Sequence, residues 1–388
     1  MKVGVLTLWQ SSDNYGQLLQ CWALQQVLIQ LGHDPYLIRL DVNAMQKKKK
    51  TFFERLVTIC NPKSSLKVLK RRINALAIAS NVKENELRNQ KRNFSLFKAE
   101  NIKISQTIYS SLSELQCSPP EADAYIVGSD QVWAFLLDKT ENQAFYLNFG
   151  KKNTKRISYA ASFSVPSYPI NLTSILRENL DRFDAISVRE STGKKICENI
   201  GKRADLVLDP TLLLDKSHYL RFCTKQDSKK NGFIYLYYLN VSTPQEISLN
   251  CLMSFAKRNN LAVKATNASG YIPGREFLGI TDYEYSNIEE WLANIKDASF
   301  VVTTSFHGVV FSLIMHTKVI FIPLKGSFAR GNNRVFDLFE QLNLMDFIYR
   351  DDFDFSIYIE KKINWELIEK KLSFFRQKSI DYLKNALS

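Results

Sequence analysis

The chain lacks most of the short motifs that announce a chemistry. No GxGxxG follows the first apolar strand, so a dinucleotide-binding first turn is disfavoured; there is no GxxxxGK[ST] phosphate loop and no GxSxG nucleophile elbow. The six cysteines (Cys21, Cys60, Cys117, Cys197, Cys223, Cys251) form no CxxC pair, and the four histidines show no metal-ligand spacing. A zinc site is therefore not expected, and the cysteines read as reduced core residues. No run reaches the roughly 18 apolar residues of a spanning helix. The opening MKVGVLTLWQ turns polar too early for a signal peptide and reads as a buried strand, which points to a cytoplasmic protein. No internal repeat is visible, and Lys47 to Lys50 is the sole low-complexity tract.

What is present is an uneven charge. Residues 47–103 hold sixteen Lys/Arg against four Glu, nearly the whole formal excess of +13. The basicity belongs to one segment, which suits an anionic surface or substrate, or plain solvation. Within it Leu66, Leu69, Ile73 and Leu76 recur at helical spacing among Lys67, Lys70, Arg71 and Arg72, and Phe52, Phe53, Leu56 and Val57 form a similar face. One reading lays the 45–85 stretch on the cytoplasmic membrane surface; the plainer one packs its apolar stripe on the first domain. No nucleic-acid motif accompanies the charge.

Short apolar strands alternate with helical patterns in two series, the rhythm of parallel α/β sheets. The first contains strands at Val3–Leu8, Tyr36–Leu40, Ala124–Val127, Ile157–Ala161, Ala185–Val188 and Asp205–Leu208, with a helix over 15–31. The second, after Asp209-Pro210, contains strands at Phe233–Leu239, Leu261–Ala265, Phe300–Thr303 and Val319–Ile322. Its helices fall at Pro244–Arg258, Ile288–Ile295 and His307–Met315. The expected organisation is two Rossmann-like domains facing a cleft. The first spans 1–210 with a helical insertion at 45–105, the second spans 211–364, and a final helix in 365–388 packs back on the first.

Five segments fall where open α/β sheets bind ligands, beyond the carboxyl ends of strands. In TTSFHG, Ser305 is a candidate N-cap, and Phe306, His307 and Gly308 open a helix whose free N–H groups and dipole suit an anion. His307 is either a phosphate ligand and proton carrier or a capping histidine. In VGSDQVW, Ser129 and Asp130 follow a strand, as a site pair or as a turn. In ISVRES, Arg189 either grips a carboxylate in a two-pronged bond or pairs with Glu190 at the surface. In RGNNR, Arg334 reaches toward the cleft and Arg330 is a loop charge. In SSDNYGQ, Asn14 and Tyr15 line the cleft edge.

Taken in order, DNYGQLLQCWALQQVL, VGSDQVW, SYAASF, ISVRES, LVLDPTLLL, TTSFHGVVFSL and NNRVFDLF resemble the polysaccharide pyruvyl transferase family over about residues 1–345. The resemblance implies a fold similar to the glycosyltransferase B type. It also implies phosphoenolpyruvate as donor, a sugar acceptor (lipid-diphosphate-linked in one version) and no cofactor. It gives His307 and Arg189 donor roles. Many relatives carry arginine-leucine-histidine where this chain has Ser305-Phe306-His307, so a phosphate-binding arginine is absent at 305 and Arg334 or Arg330 stands in. The expected mechanism makes His307 the general acid and Asp130 a base for the sugar hydroxyl; an ordinary imidazole, with a pKa of about 6.5, suits that task. The alternative is a nucleotide-sugar glycosyltransferase of the same architecture.

Overall fold

The computed structural model describes residues 1–10, 14–46, 91–223, 232–241, 243–268, 282–283, 285–350 and 354–388. Two all-parallel sheets organise them. The first runs in the order β3-β2-β1-β4-β5-β6-β7, built from β1 (Lys2–Leu6), β2 (Asp34–Leu40), β3 (Ile104–Tyr109), β4 (Ala124–Asp130), β5 (Lys155–Ala161), β6 (Ser187–Val188) and β7 (Asp205–Leu206). The second runs β10-β9-β8-β11-β12, built from β8 (Phe233–Tyr238), β9 (Ala262–Asn267), β10 (Asp282–Tyr283), β11 (Phe300–Thr303) and β12 (Val319–Phe321). This is the glycosyltransferase B arrangement of two Rossmann-like domains.

The strands read as near-continuous apolar runs because both faces of each sheet are covered. Alternation then sorts side chains by face. Ile234, Leu236 and Tyr238 enter a core on the far side of the second sheet, whereas Tyr235 and Tyr237 join a core shared by both domains. That shared core holds the domains together. Tyr15, at the start of the helix Tyr15–Gln30, stacks on Trp291 with centroids 4.9 Å apart, and its hydroxyl donates to the Ser286 carbonyl at 2.6 Å. Each such aromatic pair adds about 0.5–1.5 kcal/mol beyond its buried area.

The helix Trp365–Leu387 crosses back onto the first sheet. Its Arg376 donates to the Leu212 carbonyl at 2.9 Å, its Tyr382 hydroxyl to the Ser158 carbonyl at 2.9 Å, and its Ser379 hydroxyl accepts from the Leu208 N–H at 3.0 Å. No helix is long and apolar enough to cross a membrane, and no group of three His, Cys, Asp or Glu suits a metal, both among the described residues.

Four expectations about local structure change. The strands expected at Ala185–Val188 and Asp205–Leu208 shrink to two residues each, with Ala185 joined to Ile157 by an isolated parallel bridge. The helix expected from Pro244 breaks at Ser248, whose φ of 47° separates a 3-10 turn (Pro244–Ile247) from the helix Leu249–Arg258. The insertion expected to be helical over 45–105 ends differently: a helix at Phe94–Asn101 leads into β3. The remaining basic stripes, Phe52–Val57 and Leu66–Leu76, lie outside the described residues.

Candidate active site

In a doubly wound sheet, connections leave in opposite directions from two adjacent strands, and the gap between those connections binds ligands. In the first sheet this gap lies between β1 and β4, in the second between β8 and β11. The two gaps face each other. Asn14 and Gln17 follow β1, Asp130 and Gln131 end β4, Leu239 and Asn240 follow β8, and Thr304 to His307 follow β11. With Arg330, Asn332 and Arg334 they line a cavity of about 310 Å³. A larger groove of about 780 Å³, between β5, β7 and the C-terminal helix, is open and mixes Lys155, Arg203 and Lys378 with Asp184, Asp205 and Asp381. It gathers no strand-end turn of the second sheet, so the smaller interdomain cavity is the candidate site.

His307 is placed by its helix. Ser305 caps the helix Phe306–Met315, its hydroxyl accepting from the Gly308 N–H at 3.3 Å while its own N–H donates to Thr303 Oγ1 at 3.0 Å. The first-turn N–H groups thus open on the cavity. The His307 ring is buried against the other domain, where a Cβ on Gly16 would come within 2.0 Å of Nδ1. Its Nε2 faces Asp209 Oδ2 at 3.7 Å, an ion-pair distance too long for a hydrogen bond, and has no hydrogen-bond partner among the described residues.

Behind His307 lies a buried charge cluster. Arg189, with its side chain 1% exposed, donates Nη1 to Asp209 Oδ2 at 2.8 Å and Nη2 to Asp130 Oδ1 at 3.1 Å, with Glu190 3.9 Å from Nε. Asp209 also accepts from the Ser129 hydroxyl at 2.9 Å and, through Oδ1, from the Thr211 N–H and hydroxyl. Burial alone raises the Asp209 carboxyl, but the His307 ring, then Arg189 and Thr211, outweigh it and hold the group far below the usual carboxylate range. Asp130 behaves alike: burial raises it, and Arg189, His307 and Arg334 bring it below its ordinary value. For Glu190 burial wins over Arg189, and its carboxyl is raised.

Two guanidinium groups stand near the Phe306 ring, Arg189 5.0 Å and Arg334 5.5 Å from its centroid. Arg334 differs from Arg189 in having no carboxylate within ion-pair distance among the described residues. Burial, then repulsion from Arg189, pulls its guanidinium down to about 10. It still carries its charge at neutral pH. A half-buried cation with no carboxylate at ion-pair distance among the described residues, at the wall of a cavity, is a place for an anion.

The sequence-based candidates therefore separate. Asn14, Asp130, Ser305, Phe306, His307, Arg330 and Arg334 line the cavity. Tyr15 does not: its ring and hydroxyl belong to the domain interface. Ser129 is buried and donates to Asp209. Gly308 serves close packing, since a Cβ there would meet Thr303 Oγ1 at 2.3 Å. Arg189 and Glu190 are not a surface pair, and Arg189 holds acids of its own chain in place of a ligand carboxylate. Asp130, held below its ordinary value and bonded to Arg189 Nη2 at 3.1 Å, is a poor proton acceptor and acts as Arg189's counter-ion. The sequence reading passed over Asp209 as a domain link. Its signal was an acid set among the apolar residues of LVLDPTLLL, the pattern of a buried and compensated carboxylate.

Two parallel α/β domains with facing strand-end gaps make up the glycosyltransferase B architecture. The calicheamicin glycosyltransferase CalG4 superposes with a TM-score of 0.50 at 11% identity, covering 100% of this chain and 98% of its own; that likeness shows the fold alone. An alpha-glucosyltransferase in complex with UDP aligns at a TM-score of 0.48 and 11% identity over 99% of this chain and 95% of its own. The UDP-GlcNAc 2-epimerase of Methanocaldococcus jannaschii aligns at 0.48 and 14% over 100% and 99%. Comparison with curated protein sequences returned no match. The polysaccharide pyruvyl transferase family model matches residues 14–326, and the chain belongs to that family.

Proposed function

We propose that the protein moves the pyruvyl group of phosphoenolpyruvate onto two hydroxyls of one sugar, forming a cyclic ketal in cell-surface polysaccharide synthesis and releasing phosphate. One observation carries the reading: a buried imidazole whose Nε2 lacks a hydrogen-bond partner and a guanidinium with no carboxylate at ion-pair distance, both among the described residues, line one cavity of about 310 Å³ at a helix N-terminus. That volume is at the low end of the roughly 300–1,000 Å³ of ligand sites and suits a three-carbon donor.

The phosphate goes to Arg334 and the N–H groups opening the helix Phe306–Met315. The donor carboxylate goes to Arg330 at the cavity rim, because Arg189 is occupied by Asp130 and Asp209. Asp209 Oδ2 stands 3.7 Å from His307 Nε2, within ion-pair distance of the ring. His307 gives its proton to the donor's methylene carbon, which becomes a methyl group, and C2 becomes electrophilic. A sugar hydroxyl adds to C2 and its proton restores His307. Phosphate departs from C2 with the bonding electron pair. The second hydroxyl adds to the same carbon, and its proton leaves on the phosphate. Gln17, Gln131 and Asn240 offer polar side chains for the sugar. The acceptor is a sugar of a growing polysaccharide, in one version carried on a lipid diphosphate.

Two outcomes follow directly. Arg334→Ala is expected to raise the KM for phosphoenolpyruvate about 10- to 100-fold, the worth of a charge-assisted contact of about 1.5–3 kcal/mol, as measured by steady-state phosphate release. Gly16→Ala, which in an ordinary helix would favour folding by about 0.5–1 kcal/mol, is expected instead to cut turnover at least about ten-fold by displacing His307. Circular dichroism should show its helix content unchanged. The deciding experiment offers phosphoenolpyruvate with a panel of lipid-linked and nitrophenyl hexosides. Acceptor-dependent phosphate release supports the reading. Absence of release together with consumption of a UDP-hexose would favour the nucleotide-sugar alternative.

A further inference from the structure

We propose that Asp337 is a positioning residue: it ties the helix that carries Arg334 to the turn that carries Arg189, and so sets where the cavity's cation stands. The inference rests on the donor-binding role given to Arg334 above.

Arg334 and Asp337 lie three residues apart on the helix Asn333–Leu342, hence on one face. Across the domain boundary Asp337 Oδ2 accepts from the Ser191 N–H at 2.7 Å, and Oδ1 accepts from the Ser191 hydroxyl at 2.9 Å. Ser191 opens the helix Ser191–Asn199, whose N-cap residue, Glu190, makes no side-chain capping bond. The carboxylate of the opposite domain therefore performs the capping. It satisfies a first-turn N–H and sits at the positive end of the helix dipole.

The connection has a consequence for the cavity. Arg189, Glu190 and Ser191 are consecutive, and Arg189 and Arg334 both stand beside the Phe306 ring. The two like charges repel, and this adds to burial in lowering the Arg334 guanidinium. The paired bonds to Ser191 oppose that repulsion and keep Arg334 near Phe306. Other supports keep the helix itself folded when the tie is cut. Asn332 exchanges two hydrogen bonds with Leu324, at 3.0 and 2.9 Å, and Lys371 donates to the Gln341 carbonyl at 3.0 Å.

The test compares the full-length wild type with Asp337→Ala and Asp337→Asn, the latter keeping one acceptor oxygen. Hydrogen exchange over residues 187–199 and 330–340 is measured without ligand, and kcat and KM with phosphoenolpyruvate. The alanine variant is expected to exchange about ten-fold faster in both segments and to raise KM about ten-fold, with kcat changed less than about three-fold. Asp337→Asn should fall between. Faster exchange with unchanged KM would overturn the proposal and leave Asp337 a helix cap; unchanged exchange would overturn it outright. A wild type that turns over no phosphoenolpyruvate would defeat the proposed reaction, not this inference. Inorganic phosphate titrated by calorimetry then decides: weaker binding to Asp337→Ala supports the tie, and equal binding refutes it.

Discussion

His307→Gln is expected to lower acceptor-dependent phosphate release about 10²- to 10⁴-fold, the usual worth of a positioned acid or base, while phosphoenolpyruvate binding falls only a few-fold. Glutamine keeps a hydrogen-bonding amide near the ring's position but carries no transferable proton at neutral pH. The residue's surroundings predict this split. His307 Nε2 points to a carboxylate that is ionised at any working pH, and the ring lies at the cavity wall against Gly16. Asp209 thus stands within ion-pair distance of the ring, and Gly16 leaves the space the ring fills at the cavity wall, where a general acid is needed. Isothermal titration for binding and single-turnover phosphate release for chemistry separate the two quantities. Loss of binding in step with turnover would make His307 a phosphate anchor and move the acid elsewhere.

Asp209→Ala is expected to be the most destabilising single change in the cluster, at about 3–5 kcal/mol, because it leaves the buried Arg189 cation short of its shortest ion-pair partner. It also strands the Ser129 hydroxyl and the Thr211 donors. Asp209→Asn would not rescue it. One oxygen can still accept from Thr211, but the amide nitrogen then faces two donors, Arg189 Nη1 and Ser129 Oγ. The effect should depend on pH in a defined sense. Asp209 has a folded pKa below its unfolded value of about 3.9, so its contribution is full above about pH 5 and declines as pH falls through 4 and below. Glu190, raised by burial, works in the opposite sense. Urea melts of wild type and Asp209→Ala at pH 7 and pH 3 should show the gap between them narrowing by about 1 kcal/mol at the lower pH; a constant gap would mean that the carboxylate's charge is not what stabilises the cluster.

The parallel sheets were legible because each buried strand carries its own apolar run, such as Phe300–Thr303 and Ala124–Val127, with helical spacing between. β3 was not legible. It is an edge strand whose Ile104 and Ile108 are exposed, so no burial pattern marks it, and it follows a strongly basic stretch. The positions of His307 and Asp130 could be read because residues just beyond parallel strands must sit on the binding edge. What Arg189 holds could not be read. Its partners lie 20 and 59 residues away, and nothing local distinguishes a guanidinium that grips a ligand from one that grips Asp209 and Asp130. Tyr15 failed for the same reason: a tyrosine one residue past an N-cap suits a cleft edge as well as an interface, and Trp291 and Ser286 decide between them. Arg334 was seen as a cation within reach of the cleft. That it has no carboxylate at ion-pair distance among the described residues, and stands with Arg189 beside Phe306, emerges only in three dimensions.

The central claim is that this cavity consumes phosphoenolpyruvate. It is tested most directly by incubating the protein with phosphoenolpyruvate and a hexoside panel and measuring inorganic phosphate and acceptor mass together. The account predicts phosphate release that requires an acceptor, an acceptor heavier by one pyruvate less one water (about 70 Da), and loss of both in His307→Gln. Phosphate release without acceptor modification, or an acceptor gaining a hexose from a UDP-hexose in its place, would contradict it.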